Sequence, residues 1–125
     1  MKHKLIVSIL CCLMFAMTTG FSHPSQIPTQ EYLRKRALIQ ALSPSIYNAI
    51  AGYYGNTKLF DSEKIISVKQ TPEGSNVYIV KIQVTTFEGP HNPPYGIETV
   101  TLQVDASGIS VINFQHKDDT PNPQR

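Results

Sequence analysis

Residues 97–116 read IETVTLQVDASGISVINFQH, and the way they pair decides the fold. Apolar and polar residues alternate on both sides of Ala106-Ser107-Gly108, the period of two that marks half-buried strands. Three residues with a glycine at the left-handed position close a hairpin. If Asp105 opposes Ile109, Val100 faces Phe114 and Leu102 faces Ile112. Apolar side chains then meet on one face, and a slip of one residue would turn them all to the other. The same register sets Glu98 opposite His116, on the core-facing side at one end of the sheet.

Upstream, the alternation predicts a strand over residues 76–87, with Tyr78, Val80, Ile82 and Val84 on one face, and another over 63–71. Pro72-Glu73-Gly74-Ser75 supplies the turn between them. Strands over 97–104 and 109–116 complete the set, with Ile112 and Phe114 pointing inward. Before residue 56 the period is helical. Thr29 is the expected N-cap, and Leu33, Ala37, Ala41, Leu38 and Leu42 form the apolar stripes. Ser43-Pro44 reads as the start of a second helix, because serine caps well and proline suits the first helical position. That helix spans 44–54, buries Ile46, Ala49, Ile50 and Tyr53, and ends at Gly55. The expected fold is α+β, two N-terminal helices packed on a four-stranded antiparallel meander with one wet face.

Ahead of this domain, Lys2 and Lys4 precede thirteen residues, 5–17, of which all but one are apolar. A short basic region, a short apolar run and then small polar residues have the build of a secretory signal. The run is short for a membrane span and no second one follows. The expected organisation is a signal peptide over 1–22, a flexible lead-in over 23–28, a single domain over 29–117 and a disordered tail over 118–125. Removing 22 of the 125 residues leaves 103, enough for one modest core. Cys11 and Cys12 both lie in the leader, and the residues before Cys11 make no lipid-attachment motif. The exported domain is therefore expected to hold together without disulfides. Loss of Lys2 and Lys4 reduces eleven basic residues to nine, equal to the nine acidic ones, which argues against a nucleic-acid partner. Arg34, Lys35 and Arg36 read as a solvated helix face.

A meander brings Glu88, His91, Tyr95, Glu98 and His116 to one pole, around a loop over residues 88–96. Pro90, Pro93 and Pro94 stiffen that loop, since each fixes φ and removes a donor. A stiff loop presenting His91, Asn92 and Tyr95 suits a preorganised binding site. It equally suits a structural loop that resists proteolysis. His91, His116 and the Glu98 carboxylate are the residue types zinc prefers, but they lack a short fixed spacing. Glu98 and His116 also read as a plain cross-strand pair. No Gly-x-Ser-x-Gly occurs, and a domain this small leaves little cleft for Glu88 and Glu98 to act on a polysaccharide.

Three runs resemble a known family: LSPSIYNAIAGYYG (42–55), TFEGPHNPPYGIETVTL (86–102) and VINFQHK (111–117). They are similar to small secreted proteins of endospore-forming Gram-positive bacteria grouped as domain-of-unknown-function family 3888. The resemblance implies export and a domain boundary but no mechanism. A helix across an antiparallel sheet is also the architecture of cystatin-like inhibitors, yet their Gln-x-Val-x-Gly loop is missing, since Gln83-Val84-Thr85-Thr86-Phe87 departs from it at two positions.

Taken together, the residues predict a secreted, non-enzymatic binding domain without a cofactor. It would act through Glu88, His91, Asn92, Tyr95, Glu98 and His116 on a protein, peptide or small ligand of the cell envelope or medium. The alternatives are a metal-binding protein or metal-dependent enzyme using His91, His116 and a carboxylate, with zinc as the metal, and a helper held at the membrane by an uncleaved leader.

Overall fold

The computed structural model describes residues 27–119; the predicted signal peptide, most of the lead-in and most of the tail lie outside them. One helix, α1 (Gln30–Tyr54), precedes four strands: β1 (Leu59–Gln70), β2 (Tyr78–Glu88), β3 (Asn92–Asp105) and β4 (Gly108–Asp118). The strands form one antiparallel sheet in the order β1-β2-β3-β4, the expected meander. Among the described residues no helix is long and apolar enough to cross a membrane.

The two expected helices are one. Thr29 caps its start, its hydroxyl accepting from Tyr32 N–H at 3.2 Å. Gly55 ends it at φ 72°, donating to the Ala51 carbonyl at 2.9 Å. Pro44 sits inside and forfeits the hydrogen bond to the Gln40 carbonyl. Ser43, read from sequence as a cap, instead donates its hydroxyl to the Ile39 carbonyl at 2.8 Å, a local bond that helices accommodate. The reason for continuity is phase. Ile39, Leu42, Ile46 and Ile50 are fully buried and fall on one stripe running through the proline. Each contributes roughly 1.5–3 kcal/mol on burial, so the four together outweigh one helix bond lost on the solvent side, where Gln40 and Pro44 are exposed. Leu33, Ala37 and Ala41, expected on the apolar stripes, face water.

The stripe packs on Phe60, Val80, Ile82, Val84, Val100 and Leu102, one residue in two along the inner face of the sheet. Tyr47 lies against Phe60 with ring centroids 4.3 Å apart. Arg36 pairs with Glu63 at 3.4 Å, tying the first half of α1 to β1.

Two details of register depart from expectation. Val100 faces Phe114 and Glu98 faces His116, but a bulge follows, so Leu102 meets Val111 and Asp105 meets Gly108. The connection is Ala106-Ser107 alone. Asp105 tightens it by accepting from the Ser107 N–H at 2.7 Å, an Asx-type turn. Ile112, expected inward, is the extra residue and is 52% exposed. The expected loop over 88–96 is also shorter, because β2 and β3 extend into it until Glu88 pairs with Asn92. Gly89-Pro90-His91 remains as the turn. Pro93 and Pro94, joined by a cis peptide, lie beyond the last β3–β4 pair, Gly96 with Asp118. There the missing donors cost no ladder bond to β4, and on the other side both prolines fall in the register shift between the Thr86–Gly96 and Glu88–Asn92 pairs, unpaired with β2.

Candidate functional site

Four elements meet at the end of the sheet where α1 stops. Tyr54 is the last helical residue, Thr86 comes from β2, Glu98 from β3 and His116 from β4. Glu98 is fully buried, a placement that costs several kcal/mol unless the carboxylate is paired. Its Oε1 accepts from the Tyr54 hydroxyl at 2.6 Å, the Thr86 hydroxyl at 3.0 Å and His116 Nδ1 at 3.0 Å. Oε2 also lies 3.0 Å from Nδ1. The other imidazole nitrogen, Nε2, is 3.0 Å from Asp118 Oδ1. Carboxylate oxygens thus stand at both ring nitrogens, a setting that favours the charged imidazolium, and the Tyr54 hydroxyl lies 3.1 Å from Nδ1 as well.

The electrostatics agree. Burial pulls the His116 pKa down, but Glu98 and then Asp118 more than offset it, and the net shift is upward. Burial, reinforced by the Glu98 carboxylate, pushes Tyr54 up to about 12. Both shifts favour the protonated form in the folded state. The His116 contribution is therefore complete below the unfolded value near 6.5 and disappears as pH rises through the raised folded value. The Tyr54 contribution is complete below about 10 and disappears towards about 12. The denaturant midpoint is thus expected to fall as pH is raised from 6 through the His116 transition, and His116→Gln should flatten that limb. An unchanged midpoint in the wild type would contradict the pairing.

Gly96 closes the pocket around this cluster. A Cβ there would press on the Glu98 carboxylate and lie 2.6 Å from the Tyr54 hydroxyl and 2.7 Å from the Thr86 hydroxyl. Tyr53 packs alongside, 5.1 Å from the His116 ring and 5.1 Å from Phe114. Lys58, 8% exposed, places its ammonium 4.2 Å from the centre of the Tyr54 ring and 3.2 Å from Glu88. It links the buried cluster to the β2–β3 hairpin.

His91 belongs to a different cluster. It takes φ 61° at the hairpin tip, an uncommon conformation that histidine tolerates better than most residues. Its ring stacks on Phe87 at 4.0 Å and 19°, Nδ1 lies 3.4 Å from Asp61, and its carbonyl accepts from the Tyr95 hydroxyl. The side chain is still 65% exposed. Asp61 and Phe87 flank Phe60 and Thr86, which point to the helix side, so alternation puts them on the opposite face. The sheet therefore separates the two imidazoles.

Of the six residues expected at the pole, Glu98 and His116 touch. His91 and Tyr95 form a second group, Glu88 joins the first only through Lys58, and Asn92 is exposed beside the tip. Among the described residues no group of three or more His, Cys, Asp or Glu side chains is placed to hold a metal ion. Sequence reasoning missed Tyr54, Thr86, Lys58, Phe87 and Asp61. The β2–β3 register would have found Thr86, which pairs with Gly96. Chemically, the Glu98 cluster is closed: its acceptors are occupied and it presents no carboxylate oxygen to solvent.

The profile of one protein family matches residues 35–118, from the first turns of α1 to the end of β4; it is described as a protein of unknown function (DUF3888). No curated protein and no solved structure matches the chain.

Proposed function

The chain belongs to that family, membership brings no activity with it, and we propose that this is an exported, non-catalytic binding domain that recognises its ligand at the β2–β3 hairpin tip. The basic and apolar leader over residues 1–22 supports export, and with the three matching runs it favours a Gram-positive envelope or medium as the setting. The observation that carries the binding reading is His91. A left-handed, exposed imidazole is braced by Phe87, Asp61 and Tyr95 together, so little conformational freedom is lost when a ligand engages it.

Beside the tip lies a recess of about 270 Å³ lined by Asn56, Thr57, Lys58, Phe87 and Glu88 among others. Its size and its polar, cationic wall suit one or two side chains of a peptide rather than a large apolar ligand. The buried Glu98 cluster stiffens the floor of this pole and has no part in contact.

The test is selection of peptides from a displayed library against the purified chain, followed by binding measurements on variants. His91→Asn, which keeps a residue type that tolerates the left-handed backbone, is expected to weaken the selected peptides at least tenfold while lowering stability by no more than about 1 kcal/mol, since what it removes is an exposed stack and ion pair. Equal binding by His91→Asn, or a loss of stability large enough to account for the weaker binding, would overturn the assignment.

A further inference from the structure

Lys58 puts a cation where water scarcely reaches. Its side chain is 8% exposed, and it lines the recess of about 270 Å³ beside the hairpin tip, together with Asn56, Thr57, Phe87 and Glu88. Two contacts fix the ammonium in place. It stands 4.2 Å from the centre of the Tyr54 ring, which is itself anchored through its hydroxyl on Glu98. It also lies 3.2 Å from Glu88 Oε1. A charge held this firmly loses little freedom when a ligand engages it.

The two members of that ion pair are buried very unequally. Glu88 is 52% exposed, so its carboxylate returns to water at little cost. Lys58 has no such retreat, and a buried ammonium without an anion is heavily penalised. This asymmetry sets the sign of the ligand. A cation drawn to Glu88 would strip Lys58 of its anion. A carboxylate entering the recess lets Glu88 swing into solvent and keeps Lys58 paired. The Asn56 amide and the Thr57 hydroxyl belong to the same wall. The main-chain N–H groups of these two residues bond to no backbone carbonyl among the described residues, so the lining carries further donors for an anion. Phe87 joins the recess to the tip, because it lines the one and carries the stacked His91 ring of the other.

Resting on the reading of the tip as a peptide-binding site, we propose that the recess is a carboxylate pocket. Lys58 takes a carboxylate of the bound peptide, at its C terminus or on an Asp or Glu side chain, and Glu88 is the internal group displaced. Glu88 thus neutralises the cation in the free protein and competes with the ligand for it.

Three sets of synthetic hexapeptides measured by fluorescence anisotropy test this: neutral sequences amidated at the C terminus, the same sequences with a free C terminus, and amidated sequences carrying one Asp or Glu. Carboxylate-bearing peptides are expected to bind at least tenfold tighter than the neutral set, as pairing with a buried charge implies, and the set that binds identifies the source of the carboxylate. Glu88→Gln, which removes the competitor, should tighten that binding at least threefold. Lys58→Met should erase the preference with an unchanged circular dichroism spectrum; if it misfolds, the peptide sets and Glu88→Gln still decide. Equal binding of neutral and carboxylate-bearing peptides, or an affinity that Glu88→Gln leaves unchanged or lowers, would overturn the proposal. Peptides that His91→Asn releases but that show no preference for a carboxylate would remove the pocket and keep the tip as the binding site, whereas no binding by any set would remove both.

Discussion

Glu98→Ala is expected to lower the free energy of unfolding by about 3–5 kcal/mol, the usual cost of removing one partner from a buried ion pair. Small domains hold only about 5–15 kcal/mol in total, so this one change takes a large share of it. The carboxylate is fully buried and accepts from Tyr54, Thr86 and His116. Alanine leaves two hydroxyls and a largely buried imidazolium facing a void, and each unsatisfied group carries its own desolvation cost. The damage comes from orphaned partners rather than from loss of an intrinsically strong bond. Combining Glu98→Leu with Tyr54→Phe and His116→Phe should therefore recover much of the stability, since apolar replacement of a complete buried pair is often neutral. Urea midpoints of the single and combined variants check this. A cost below 1 kcal/mol for Glu98→Ala would remove the cluster from any account of what holds this end together.

Gly96→Ala is expected to cost about 1–3 kcal/mol, the range for overpacking a filled site. The reason is proximity and not backbone freedom. The atoms a Cβ would meet belong to Tyr54, Thr86 and Glu98. They are ends of side chains, but hydrogen bonds to one another hold them in place, so none moves aside freely. A double-mutant cycle with Tyr54→Phe tests the mechanism. Removing the hydroxyl should relieve part of the cost, giving a coupling of more than about 0.5 kcal/mol between the two sites. Additive effects would mean that Gly96 matters for some other reason.

These two residues show where sequence reading reaches and where it stops. The opposition of Glu98 and His116 was legible, because a two-residue period and a short turn leave one register that keeps apolar side chains on one face. Glycine at position 96 reads in the sequence only as the edge of the loop over 88–96. As a loop edge it would supply an unusual dihedral, whereas in the fold it is the floor of a crowded site.

The placement of His91 was not legible at all. Which face a hairpin tip favours depends on the register shift between Thr86 and Glu88, and bulges leave little trace in composition. The single helix was hidden for a similar reason. Ser43-Pro44 is a good local start signal, and only the tertiary demand that Ile39, Leu42, Ile46 and Ile50 share one buried stripe overrides it. Ile112 belongs with these cases: the alternating pattern puts it inside, and one extra residue turns it out.

The account depends most on a charged His116 held by a buried Glu98, and a proton NMR titration of the imidazole ring measures it directly. The His116 signal, assigned by its loss in His116→Gln, should titrate above the ordinary value near 6.5 and move down in Glu98→Gln. A midpoint at or below that value, indifferent to Glu98, would contradict the account.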